Sequence, residues 1–315
     1  MKILIVCSGN SRLGMPVFVR EHAENLQRHG VEIEYFLIKG KGLKSYYRHI
    51  NLLKNHLFES DIDIVHAFFG LSGLVCTFQK TTPTVVSFVG CDINIPWQRT
   101  VSKVFVIPKT KRNIFVSEKL FDLAGNPKNS IVLPFGVDLT KYKLKSRNEA
   151  RIKLGWSQTK KYILFASTFD RVEKNPQLAF AAVKLLTRND IELVEFKNIK
   201  DDEIADHYAA SDLLLLTSIR EGSPQVIKEA MAMNTPIVST DVGDVKAMIG
   251  NMEGCYITSF DPQDVAEKIA KALDFGKNTN TRTELKALDN NYITEKIIGL
   301  YNNIVDIEKS NTLKR

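Results

Sequence analysis

The chain has 315 residues, more than one small core organises, which points to two domains. Hydrophobic residues make up 44% and charged residues 25%, values that exclude a fibrous or low-complexity chain. Four cysteines lie scattered with no CxxC pair, which argues against a zinc site or a disulfide framework and fits free thiols in a reducing compartment.

The net charge of +7 is unevenly spread. Residues 1–145 hold 20 Lys and Arg against 11 Asp and Glu, whereas the remainder holds 23 against 25. An anionic partner for the N-terminal half follows as one expectation, and a generally basic background is the other. The first apolar run, residues 3–7, is too short for a signal peptide, and no run reaches the length of a membrane span. A cytoplasmic protein is expected.

In chain order, residues 3–7 read as a buried strand. Residues 17–29 have helical spacing and stop at Gly30. Residues 31–38 alternate as a strand, and the basic stretch Leu43–Phe58 reads as a helix. Further strands are expected at 62–67, Thr84–Phe88, 113–116 and 130–133, with no helix between Asp92 and Asn113. The pattern then restarts: strands at 162–166, 191–196, 213–217, 236–240 and 255–257, and helices at 176–186, Ile204–Ala210, 225–233 and 265–273. Strands alternating with helices imply parallel βαβ units. The fold class is therefore α/β with two doubly wound domains, whose ligands belong at the carboxyl ends of the strands.

The most informative segment is EGSPQVIKEAMAMNTPIVSTDVGD, residues 221–244, which follows the apolar run LLLLT after three residues. Ser223 fits an N-cap and Pro224 the first helical position. Gly222 permits a tight turn or a close ligand approach. A helix starting at the end of a central strand favours an anion, a phosphate above all. Glu221 lies just outside that helix, and Glu229 lies inside it, about 7–8 Å further along at ~1.5 Å per residue. Carboxylates there can accept from sugar hydroxyls. The competing reading is a capped core helix with two solvated glutamates.

E-G-S-P-x4-E-A-M-A followed by P-I-V-S-T-D-V-G resembles the nucleotide-sugar signature of retaining glycosyltransferases of family 4, with the GT-B fold. DIVHAFFGLSG, SFVGCDIN, NIFVS and LPFGVDLTKY look like landmarks of bacterial surface-polysaccharide members of that family, so the likeness covers most of the chain. The resemblance implies two Rossmann-like domains facing a central cleft. Residues 1–142 would bind acceptor and 143–291 the nucleotide-sugar, UDP-sugar being favoured, with a C-terminal helix at about 292–308 packing back on the first domain. Glu221 would contact the donor sugar and Glu229 the ribose; Gly222, Ser223, Pro224 and Gln225 would line the donor site, with backbone amides near residues 223–225 facing the diphosphate. Lys174 matches the family's phosphate-neutralising lysine. Arg171 is a displaced substitute for its arginine, since Thr168-Phe169 stands where Gly-Arg is usual.

Asp92 would either contact an acceptor hydroxyl or cap the following turn, and Val89 stands where many relatives carry a histidine. His66, expected at the carboxyl end of a strand facing the cleft, is either functional or a hydrogen-bonded structural residue. Gly14 sits in the loop after the first strand, which is no dinucleotide fingerprint.

No cofactor or obligatory metal is implied, and no Asp-x-Asp motif ends a strand. The reaction implied is transfer of a hexose-type sugar, with retention, to a glycan or lipid-linked acceptor in surface polysaccharide synthesis. Alternatives are a nucleotide-sugar 2-epimerase of the same fold or a degenerate binding protein. Nucleic-acid binding lacks a recognised module. Lys39, Lys41, Lys44, Arg48 and Lys54 interleave with Leu and Tyr residues, as in a helix lying peripherally on an anionic inner-membrane surface. A surface helix packed by its apolar side is the other reading.

Overall fold

The structure, a computed structural model, describes all residues except 12–13, 41, 277–278 and 313–315; the side chains of Leu43, Asn311 and Thr312 also lie outside the description. Two compact units divide the chain: Met1–Gly136 with Asn290–Arg315, and Val137–Asp289.

The first unit is built on a six-stranded parallel sheet. Its strands are β1 (Lys2–Ser8), β2 (Glu32–Ile38), β3 (Ile64–Phe68), β4 (Thr84–Phe88), β5 (Arg112–Phe115) and β6 (Ser130–Val132), in the order β2-β1-β3-β4-β5-β6. β1, β3 and β4 are buried almost throughout, because helices cover both faces. The helix Val17–Arg28 packs on the C-terminal helix Asn290–Thr312, which therefore belongs to this unit. The helix Leu43–Phe58 packs on Gly70–Cys76, and Gly70–Cys76 packs on the segment after β4. That packing is tight: a Cβ on Gly73 would stand 2.9 Å from Val106 and 3.0 Å from Val86.

The segment between Asp92 and Asn113, expected without a helix, is helical almost throughout. Cys91–Asn94 and Pro96–Val101 are α-helical, Ser102–Val106 is a π-helix, and Ile107–Lys109 is a 3-10 turn. Short, Pro-interrupted turns carry no sustained 3.6-residue apolar period, so the pattern did not announce them.

The second unit has a five-stranded parallel sheet. β7 (Lys161–Phe165), β8 (Ile191–Glu195), β9 (Leu213–Leu216), β10 (Ile237–Thr240) and β11 (Cys255–Thr258) run in the order β11-β10-β9-β7-β8. β9, with four leucines, is buried on both faces at the centre. The unit begins at Val137 rather than at the expected residue 143. Residues 137–142 form a strap: Val137 N donates to Leu288 O at 2.8 Å, and the Arg282 guanidinium donates to Leu139 O at 2.9 Å and Tyr142 O at 2.5 Å. One arginine, 140 residues beyond Tyr142 in the sequence, thus draws a polar, aperiodic stretch into this unit. The next helix, Arg147–Leu154, is held by the buried pair of Arg151 with Asp212 at 2.7 Å and by Lys145 and Lys153 on Asp206.

Candidate functional site

The loops at the carboxyl ends of β7 and β9 meet. After β7 the chain turns through a 3-10 element, Val172–Lys174, and Asn175 adopts a left-handed conformation, φ +53°, before the helix Pro176–Leu185. Thr217, following β9, donates its hydroxyl to Lys174 O and Asn175 O, both at 2.9 Å. This ties the two loops through backbone acceptors and leaves the Lys174 side chain to reach Glu221, 2.5 Å from Nζ to Oε1. Both side chains are about 15% exposed, so the pair is mostly shielded, yet open at one side. Ser218 donates to the same Glu221 oxygen at 2.8 Å.

Arg171 is placed differently. It is 54% exposed and forks onto Glu173 at 2.5 and 2.8 Å. That partner belongs to its own turn, so the structure joins Lys174, and not Arg171, to Glu221.

The helix that follows is Gln225–Ala232, with Pro224 as its N-cap. This corrects the expectation that Ser223 caps the helix and Pro224 occupies its first position. No side chain of the cap residue accepts from the helix, and the Ser223 hydroxyl instead donates to Asp244 Oδ2 at 2.6 Å. Asp244 was not foreseen as a partner, because it lies one strand further along. Gly243 explains the closeness of the two loops: at φ +57°, its hypothetical Cβ would stand 2.5 Å from Gly222 O.

Glu229 accepts from the hydroxyl of the fully buried Tyr208 at 2.7 Å. Burial and the Glu229 charge keep the Tyr208 phenol protonated far above its ordinary range. Tyr208 lies on Ile204–Ala210, too distant in sequence to be paired with Glu229 from spacing. Lys228 is buried completely and donates to Gln225 Oε1 at 3.0 Å; burial lowers its pKa to about 8, against the attraction of Asp244 and Glu229.

The first-unit candidates stand apart in character. His66 is the middle residue of β3, not its end, and is fully buried. Its Nδ1 pairs with Tyr301 Oη at 2.5 Å and its Nε2 with Ser87 Oγ at 2.8 Å. Burial, with His22 beside it, holds its pKa well below the ordinary value, so it stays neutral. Full burial with both ring nitrogens hydrogen-bonded fits the structural one of its two expected roles.

Asp92 is also fully buried. It accepts from Gly90 N at 2.8 Å, Val89 N at 3.1 Å and Gly70 N at 3.2 Å, tying the loops after β3 and β4. Of its two expected roles the geometry favours the turn cap. Burial raises its pKa to about 6, against those amides. Gly14 takes φ +84°, and nothing among the described residues lies within 4 Å of its hypothetical Cβ, which fits a glycine turn.

Among the described residues no group of three or more His, Cys, Asp or Glu is gathered to hold a metal. What the second unit assembles is a mostly shielded Lys–Glu pair, a helix entry and a braced second glutamate. The two carboxylates can accept hydrogen bonds from hydroxyls, and Lys174 with the helix entry can neutralise an anion.

Residues 174–274 match the family model described as glycosyl transferases group 1. A putative teichuronic acid biosynthesis glycosyltransferase of Bacillus subtilis (strain 168) is 24% identical over 66% of this chain. The match covers 61% of that relative, so the chain spans about three fifths of its length. Sucrose-phosphate synthase from Thermosynechococcus elongatus superposes with a TM-score of 0.82 at 16% identity, covering 98% of this chain and all of that one. Anabaena Alr3699/HepE, solved in complex with UDP, gives 0.73 at 16% identity over 96% of this chain and all of that one. Residues 174–274 are thus a domain of the group 1 glycosyl transferases, carried on a chain with the GT-B fold.

Proposed function

We propose that the chain transfers a hexose-type sugar from a UDP-sugar to a glycan or lipid-linked acceptor, with retention, in surface polysaccharide synthesis. The observation that carries this reading is the junction of Lys174 and Glu221 beside the entry of the helix Gln225–Ala232. In the free protein the ammonium and carboxylate neutralise each other. An incoming diphosphate competes for Lys174 and faces the backbone N–H groups of Ser223 and Gln225, where the helix dipole favours negative charge. Glu221, released from the ammonium, accepts from hydroxyls of the donor sugar. Glu229, braced by Tyr208, accepts from the ribose.

As the glycosidic bond breaks, charge grows on the diphosphate. Lys174 and the helix entry are already in place to stabilise it, with Arg171 a further cation if it leaves Glu173. No metal is needed for this neutralisation. HepE has been solved with UDP, which supports the choice of base. A thermal-shift panel of UDP-, GDP- and ADP-sugars tests the reading, followed by NMR of the stabilising donor with and without acceptor glycan. Stabilisation by the UDP-sugar and acceptor-dependent release of UDP are expected. Epimerised donor without acceptor would instead establish the 2-epimerase reading, and binding without turnover of any acceptor the degenerate one.

The lipid-linked acceptor is favoured by one feature of the first unit. The contiguous helices Leu43–Phe58 and Gly70–Cys76 and the segment from Pro96 to Lys109 carry Lys44, Arg48, Lys54, Arg99, Lys103 and Lys109 and no Asp or Glu. Tyr47, Phe58, Trp97 and Phe105 are exposed there, Phe58 by 89%. Apolar side chains among cations suit an anionic bilayer better than a nucleic acid. Lys41, expected in this cluster, lies outside the described residues, and no described helix is long and apolar enough to cross a membrane. Flotation with phosphatidylglycerol vesicles but not phosphatidylcholine vesicles is the expected result; equal behaviour with both would remove the membrane from the account.

A further inference from the structure

Two charges have no part in that mechanism: the fully buried Lys228 and the half-buried Asp244. A lysine is costly at full burial, and its place in the first half of a helix adds repulsion from the positive end of the dipole. A methionine of similar shape would fill the volume without either cost. Asp244 is hardly cheaper: its Oδ1 is buried and has no hydrogen-bond partner among the described residues.

What the two do is visible in their contacts. Asp244 Oδ2 takes the Ser223 hydroxyl at 2.6 Å. Lys228 Nζ donates to the Gln225 side-chain oxygen at 3.0 Å. The anion and the cation attract each other from beneath, and each grips one residue on either side of Pro224. The backbone closes the arrangement, because Gly243 lies against Gly222 so closely that a side chain would collide. The segment 222–225 is thus clamped by the fully buried Lys228 and the half-buried Asp244.

We propose that Asp244, acting through Ser223, is a positioning residue for the donor diphosphate, with Lys228 as its counterpart through Gln225. The inference rests on the donor reading given above. It assigns to these side chains the task of holding the loop amides in register for phosphate oxygens, while touching no part of the donor. Such a role has a specific consequence: its loss weakens binding of the phosphates and spares the nucleoside.

The test uses the full chain and calorimetry with UDP, GDP and ADP, then with the nucleoside of whichever binds best. Asp244→Ala is expected to weaken that nucleoside diphosphate about 10-fold and its nucleoside less than twofold. Asp244→Asn, which keeps an acceptor for Ser223, is expected to stay within threefold of wild type. Ser223→Ala is expected to match Asp244→Ala, and the double variant to be no weaker than either single one. An unchanged diphosphate affinity in Asp244→Ala overturns the inference, as does equal weakening of diphosphate and nucleoside or an additive double variant. If the wild type binds none of the three diphosphates, the donor reading itself fails, a result distinct from these.

Discussion

Replacing Asp92 by alanine separates a turn cap from an acceptor-binding carboxylate. The carboxylate satisfies the amides of Gly70, Val89 and Gly90 at 2.8 to 3.2 Å in a fully buried position. Each amide left without a partner costs about 1–3 kcal/mol. Against this stands the cost of the buried charge itself: a rise from 3.8 to about 6 amounts to roughly 3 kcal/mol near pH 7. The net loss in Asp92→Ala at neutral pH is about 2–4 kcal/mol, once water or loop relaxation has recovered part of the amide cost.

The sign of the pH dependence is fixed by the raised pKa. The folded protein binds more protons at Asp92 than the unfolded chain between pH 3.8 and about 6, so its contribution to stability declines as pH rises through that window. The stability gap between wild type and Asp92→Ala should therefore shrink by about 1 kcal/mol from pH 5 to pH 7.5. Taking the difference between the two proteins removes the opposite trend from His66, whose depressed pKa costs stability as pH falls. Urea unfolding followed by fluorescence at both pH values measures the gap. A gap that widens with pH, or an Asp92→Ala protein of wild-type stability, would refute the buried-cap reasoning.

Three further outcomes follow from the same geometry. His66→Leu strands the hydroxyls of Tyr301 and Ser87 and should cost about 2–4 kcal/mol of stability, while transferase activity per folded molecule stays within twofold. A large loss of turnover at full folding would restore a functional histidine. Lys174→Met removes the partner of Glu221 and the cation at the diphosphate, and should lower kcat/KM by about 100-fold or more; steady-state kinetics with a matched donor and acceptor checks it. Tyr208→Phe removes the hydroxyl that braces Glu229 and should weaken nucleoside diphosphate binding about threefold to tenfold, a change of about 1 kcal/mol, by calorimetry.

The sheets were legible because buried strands write themselves as short apolar runs: LLLL of β9 and TVVSF of β4 need no tertiary knowledge. The donor half was legible for a second reason, that Glu221, Gly222 and Glu229 lie on one continuous strand–loop–helix. What could not be read were pairings across the fold. Tyr301 on His66 spans 235 residues. Lys174 on Glu221 and Tyr208 on Glu229 depend on which strands are neighbours. Local preference makes Ser223 a cap, whereas Asp244, 21 residues further along, takes its hydroxyl from the helix. The apolar pattern ends the strand at residue 67 and puts His66 near its edge, whereas β3 runs Ile64–Phe68 with His66 at its middle.

The central claim is that the helix-entry segment and its two glutamates hold a nucleotide-sugar. Calorimetry of UDP against the wild type and Glu229→Ala tests it most directly. Saturable binding by the wild type and at least tenfold weaker binding by the variant are predicted, since Glu229 is assigned to the ribose. Unchanged UDP affinity in Glu229→Ala would contradict the account.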